Sequence, residues 1–124
     1  MTGFEPLDAK LIIMTWLDLN LAVPVVSTRP DGVDGPSRFV RVLATGGAGR
    51  HNQVLQTRQV TIDCYAETLL RAVDLGLQVE KAMHAAPGWS RHVVSVSGTS
   101  PVELPDPDTG QRRVTATYQV TLKQ

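Results

Sequence analysis

"TRQVTIDCYAETLLRAVDLGLQVEKAMHAAPG" (Thr57 to Gly88) changes periodicity within a few residues, and the change decides the fold. From Thr57 to Ala66, Val60, Ile62 and Cys64 share one face, while Gln59, Thr61, Asp63 and Tyr65 share the other. That alternation is the period of a strand with one side buried. From Thr68 to Ala86 the spacing is helical. Leu69, Ala72, Val73, Gly76, Val79 and Met83 form an apolar face against a polar strip of Arg71, Asp74, Gln78 and Lys81. Thr68 suits the N-cap, and Pro87-Gly88 stops the helix. Leu70 and Leu77 widen the apolar arc to about half the circumference, more than a helix lying on one sheet needs.

The flanking segments extend the pattern. Upstream, "RFVRVLA" (Arg38 to Ala44) reads as a strand, and "VPVVST" (Val23 to Thr28) as a short one that Pro24 confines to an edge or a strand start. "RPDGVDGPS" between them is a turn-rich loop. A first helix is predicted from about Pro6 to Asn20, with Pro6 in its first turn and Asp8 complementing the helix dipole. Leu7, Leu11, Met14, Leu17 and Leu21 recur at helical spacing, but Ile12, Ile13, Trp16 and Leu19 lie off that stripe. Only a narrow strip of Asp8, Thr15 and Asp18 is polar, so this helix wants cover on more than one side. Downstream, "HVVSVS" is a strand and "GTSPVELPDPDTG" carries a break and a turn. "RRVTATYQVTLK" alternates cleanly, Val114, Ala116, Tyr118, Val120 and Leu122 against four Thr and Gln positions. The order α-β-β-β-α-β-β predicts one α+β domain over 1-124, two helices packed on a mostly antiparallel, mixed sheet.

Composition bounds the function. The 124 residues are 42% apolar and 19% charged, which suits a globular domain. A formal net charge of +0 lacks the overall basic excess of proteins that wrap nucleic acid, leaving only a local basic patch open. One cysteine, Cys64, excludes an intramolecular disulfide framework and a cysteine-rich zinc site, and fits synthesis in a reducing cytoplasm. No apolar run approaches the ~18 residues of a membrane span. "MTGFEPLDAK" has no basic segment leading into a long apolar core, so neither a membrane partner nor a secretory address is expected.

Five groups of residues are candidate sites. "ATGGAGRHNQ" (Ala44 to Gln53) places Gly46, Gly47 and Gly49 beside Arg50, His51 and Asn52. A phosphate-binding P-loop needs a lysine and a following helix, and the segment has neither. Asn52 stands where the dinucleotide fingerprint needs its last glycine. The stretch is therefore expected to be a flexible β-hairpin arm around 45-56, touching a neighbouring subunit or a lumen. Cys64 with His51, His84 or His92 could form a thiol nucleophile and base, but Cys64 falls on the apolar face of its strand, where a buried structural thiol is expected. Dispersed histidines and the four-residue Glu80/His84 spacing do not suggest a metal site. Asp106 and Asp108 could serve hydrolysis or calcium, yet turn chemistry around Pro107 explains them. Arg38, Arg41, Arg50 and Arg58 cluster around the hairpin without interleaved aromatics beyond Phe39, which favours a solvated or intersubunit role.

Over Pro24 to Leu122 the sequence resembles the tail terminator (tail completion) proteins of long-tailed bacteriophages. The strand ending "IDCYA" that runs into an amphipathic helix, the "LPDPD" turn and the final strand "RRVTATYQVTLK" carry the likeness. The resemblance implies a non-enzymatic virion protein without a cofactor, made in the host cytoplasm and placed at the head-tail junction. It would form a homo-hexameric ring on the last ring of the tail tube, end tube polymerisation and present a joint to the neck. Its partners would be the major tail tube protein and a head-completion protein, with genomic DNA passing through the ring without specific binding. A head-closure or neck connector protein is the alternative of the same class. A small hydrolase using Cys64 or Asp106 and Asp108 is the alternative of another. Ring formation would cover the widened apolar arcs, with Ile13, Trp16, Leu70, Asp74, Leu77 and Lys81 expected at the subunit interface.

Overall fold

A computed structural model describes residues 7–28 and 37–124. Pro6 and nearly all of the "RPDGVDGPS" loop lie outside the described residues. The element order is α1 (Ala9–Asn20), β1 (Val25–Val26), β2 (Phe39–Arg50), β3 (Leu55–Tyr65), α2 (Leu69–Ala85), a short 3-10 turn, β4 (Val93–Gly98), β5 (Val102–Glu103) and β6 (Arg113–Lys123). The strands form one mixed sheet in the order β1-β2-β3-β6-β4, with β5 continuing beside β6. This is the predicted α+β arrangement, with the break after "HVVSVS" separating β4 from β5.

Local chemistry accounts for the element ends. Asp8 caps α1, its side chain accepting from Leu11 N at 3.1 Å. The Thr68 hydroxyl does the same for Arg71 N at the start of α2. Pro24 keeps β1 at the edge: its carbonyl accepts from Val40 N, and the two residues that follow pair in parallel with β2. β3 lies between β2 and β6, antiparallel to both, and its 11-residue ladder with β6 has no register shift.

The two sides of the sheet differ completely. Val40, Val42, Val60, Ile62, Cys64, Ala116, Tyr118 and Leu122 face the helices and pack against Ala9, Ile13 and Leu17 of α1 and Leu75, Val79 and Met83 of α2. Among the described residues the other side carries no helix. There Thr45–Thr61, Thr61–Thr117 and Thr57–Thr121 hydroxyl pairs and a hydrogen bond from Gln119 Nε2 to Gln59 Oε1 form an uncharged network across the strands. Burial follows the sequence alternation cleanly along β6, whereas at the end of β3 Asp63 and Tyr65 of the open face are buried as well as Ile62 and Cys64.

α1 turns differently from its leucine pattern. The buried stripe is Ala9, Ile13 and Leu17, while Leu11 and Leu19 are exposed. Both stripes are apolar, so periodicity alone did not choose between them. Contact with α2 decides, through Trp16, whose indole Nε1 donates to Ala82 O at 2.7 Å. There α2 has tightened at its end, Ala86 N–H bonding Met83 O.

Candidate functional site

α2 presents the main candidate surface. At about 100° per residue its buried set, Ala72, Leu75, Gly76, Val79, Ala82 and Met83, defines a face opposite Leu70 and Leu77. Leu70 is 80% exposed and Leu77 51%. The sequence placed them at the rim of the apolar arc; they point outward instead. The cause is α1, whose packing on Ala82 draws the buried face of α2 toward Leu75 and leaves the two leucines outside. Asp74 and Lys81 flank them and are also exposed. Asp74 accepts from Gln78 Nε2 at 2.7 Å. Lys81 lines a shallow cleft of about 320 Å³ with Asn20, Leu21, Gln78, Ala82 and Ala85.

The residues expected from α1 do not join this surface. Ile13 is 0% exposed and sits in the chain's own core, so it offers nothing to a neighbour. Trp16 is partly buried, clasping α2 and lying 4.8 Å, centroid to centroid, from Trp89, which is 40% exposed. The face α1 turns to solvent carries Leu11, Thr15, Asp18 and Leu19.

Residues 45–56 form the distal half of the β2–β3 hairpin. The ladder shifts register between Ala44 and Gly46 and again between Gly46 and Gly49. Gly46, Gly47 and Gly49 have φ of 100°, 101° and 84°, backbone that L side chains rarely adopt. At Gly47 a Cβ would meet Gln59 N at 2.6 Å, so its lack of a side chain lets the two strands approach. Asn52 Oδ1 accepts from Val54 N and Leu55 N and shapes the tip. His51 Nε2 lies 2.9 Å from Thr57 Oγ1, and Arg50 donates to Asn52 O and to Gln124 Oε1.

At the hairpin's base the structure gathers a polar cluster that sequence reading missed. Asp63, 2% exposed, accepts from Arg41 at 2.7 Å, and the Arg113 guanidinium stands 3.6 Å away. The Tyr65 hydroxyl donates to Asp106 Oδ2 at 2.9 Å, and its ring stacks on Phe39 at 4.5 Å. Burial pushes the Tyr65 hydroxyl up, and its bond to Asp106 adds to the shift. Asp106 Oδ1 accepts from Asp108 N, the Asx-turn chemistry expected of "DPD". The other carboxylate oxygen's role was invisible because Tyr65 lies 41 residues away. The one hint was Tyr65 on the otherwise solvent-directed face of β3.

The catalytic candidates are poorly placed. Cys64 is 2% exposed, and burial, helped by Asp63, pushes its thiol up to about 12. Such a thiol stays protonated at neutral pH and is a weak nucleophile. Asp106 is buried against Tyr65, while Asp108 is exposed within the turn. Among the described residues no three His, Cys, Asp or Glu side chains gather as a metal site, and no helix is long and apolar enough to cross a membrane.

The outward face of α2 on this α+β domain thus carries Leu70 and Leu77 interleaved with Asp74 and Lys81. No protein-family model matches the chain, and no curated protein matches it. Among solved structures it is similar to a chain of the "Virion of native gene transfer agent (GTA) particle", at 10% identity and a TM-score of 0.45, over 94% of this chain and 87% of that one. A likeness of that degree carries no argument about what this chain does.

Proposed function

We propose that this protein is a structural component of a phage-like virion, a tail terminator whose copies close into a ring, six in number, on the end of the tail tube. The observation that carries the reading is the pair Leu70 and Leu77. Two large aliphatic side chains, one 80% and one 51% exposed, stand on the face of α2 opposite its core. A neighbour that covers them removes apolar surface from water at about 25 cal/mol per Å². A head-to-tail contact closing into a ring covers them on every copy. Asp74 and Lys81 beside the stripe give the contact its polar rim. Gly46 to Asn52 at the hairpin tip reach a second neighbour or the lumen. The sequence resemblance supports the particular role, ending tube growth and joining the head.

Two of the residues named for the hydrolase alternative are poorly placed for it: the Cys64 thiol is buried and protonated, and Asp106 is engaged by Tyr65. The neck-connector alternative shares the ring, so partner choice separates the two. Mixing the protein with purified tail tubes, then counting capped ends by electron microscopy, tests the proposal. Six-fold caps on tubes are the expected result. A protein that ignores tubes but binds the portal-side neck ring would move the assignment to the connector, and a strictly monomeric protein that binds neither would end it.

A further inference from the structure

The two edges of the sheet are built differently. At one, β1 covers the start of β2 at Val40 and Arg41, and β2 then shifts register twice between Ala44 and Gly49. Both devices blunt an edge against pairing with another chain. At the other, β4 and β5 run beside β6 from Leu122 to Val114, and among the described residues no strand lies beyond them. The bond from Thr99 N to Thr117 O marks Gly98 and Tyr118 as a non-hydrogen-bonded pair. By alternation Ser97 bonds to β6, while Val96 and Gly98 turn their N–H and C=O groups to the open side. The bulge between Val93 and Ser95 lies outside that stretch. No residue from Val93 to Val102 is charged, and Val94, Val102 and Leu104 along this edge are exposed.

The charges that flank this bare stretch name its occupant. Glu103 pairs with Val114, five residues along β6 from Gln119, which pairs with Ser97. At the other end Lys123 N bonds His92 O, so Arg91 stands level with Gln124, five residues from Gln119 in the opposite direction. Arg91 and Glu103 are both exposed, and neither is among the ion pairs of the described residues. A two-fold axis at Ser97 therefore sets Glu103 of each copy level with Arg91 of the other, roughly 17 Å from the axis at the usual rise per residue. The same axis pairs Val96 with Gly98 of the other copy, the residues whose backbone groups face outward. A parallel alignment would instead set Glu103 against Glu103 and Arg91 against Arg91, like charges opposed. The edge is thus complementary to itself, in the antiparallel sense only.

We propose that the β4–β5 edge is a two-fold contact between copies of this chain, the two sheets joining antiparallel at Ser97. The contact uses the sheet edge rather than the outer face of α2 and is measured without tubes, so it stands or falls apart from the ring reading. Sedimentation velocity of the purified chain over a range of concentrations is the first measurement, and a dimer is expected. Ser97→Lys, at an exposed position, sets two like charges across the axis and should weaken association about tenfold or more. Glu103→Arg and Arg91→Glu should each weaken it, and both changes in one chain should restore it, which a folding defect would not do. Ser97→Cys should form a disulfide between copies under mild oxidation, because the side chains of a non-hydrogen-bonded pair stand close. The buried Cys64 does not compete. A chain that stays monomeric at high concentration, charge reversals that do not compensate, or a dimer that Ser97→Cys fails to cross-link would overturn the proposal. Rings on tubes whose copies do not cross-link through Ser97→Cys would end this proposal and leave the ring reading standing.

Discussion

At its base the β2–β3 hairpin is held by buried charge and aromatic stacking; at its tip it is held by glycine geometry and hydrogen bonds to the Asn52 side chain. The base pins Asp63 between Arg41 and Arg113 and closes Tyr65 over with Asp106. The tip has two register shifts, three positive-φ glycines and a turn shaped by Asn52. The two constructions respond differently to change. A buried ion cluster is costly to disturb because each group left behind is an uncompensated charge. A glycine bulge is costly only where a side chain would clash or the backbone would be strained. The base therefore behaves as a fixed support, and the tip as the part where sequence changes discriminate finely between neighbouring positions.

The largest effect is expected at the base. Asp63→Asn keeps the shape of the side chain but removes the charge that Arg41 and Arg113 share. Asp63 is 3% exposed at its side chain, whereas the two arginines retain 21% and 12%, which tempers the penalty. A loss of about 3 kcal/mol in urea unfolding is expected. A loss under about 1 kcal/mol would mean that solvent reaches the cluster and the base is no firmer than the tip.

Next come two glycines one position apart. Gly46 and Gly47 share nearly the same φ, 100° and 101°, but a Cβ at Gly46 meets nothing within 4 Å. At Gly47 it meets the backbone of Arg58 and Gln59. Gly46→Ala should cost about 1 kcal/mol from backbone strain alone, and Gly47→Ala about 2 to 3 kcal/mol. Equal losses would show that the strands do not approach closely at Gly47.

Cys64 lies at the base, between Asp63 and Tyr65, on the core side of β3. Cys64→Ala should cost about 1 kcal/mol of packing. A thiol reagent at pH 8 should react with the native protein far more slowly than with the unfolded chain. The folded thiol titrates at about 12 against an ordinary 9.0, so the fold favours the protonated form. That contribution is intact below about pH 9 and is lost as the pH rises toward 12, when only the unfolded chain ionises freely. Cys64→Ala should show a smaller stability loss across that window. An identical alkaline limb in both proteins would assign the effect elsewhere, with Tyr65 and Tyr118, both raised by burial, the next groups to test.

Much of this architecture was legible because local and global signals agree. The Val60, Ile62, Cys64 alternation, the Thr68 cap and the β6 pattern each named an element whose side chains then went where the pattern put them. What was not legible depended on partners far away in sequence. Ile13 and Leu11 are equivalent by periodicity, and only the Trp16–Ala82 contact, across 66 residues, turns the first inward. Asp106 reads as a turn residue until Tyr65 is brought beneath it.

The smallest expected effect on stability is the one that bears most on function. Leu77→Lys sits on the outward face of α2, half exposed, where lysine is an acceptable helix former. Its urea midpoint should move by less than about 0.5 kcal/mol in stability, as for other exposed positions. The same change places a charge where a neighbouring copy would bury leucine, and desolvating it costs more than the contact returns. Native mass spectrometry of the parent and of Leu77→Lys, alone and with tail tubes, reads the two effects separately. Loss of rings and capped tubes with stability intact would mark the outer face of α2 as the subunit contact. A variant that melts early would show that Leu77 belongs to the fold, and a stable variant that still caps tubes would move the contact to another face, with Leu11 and Leu19 on α1 the next stripe to change.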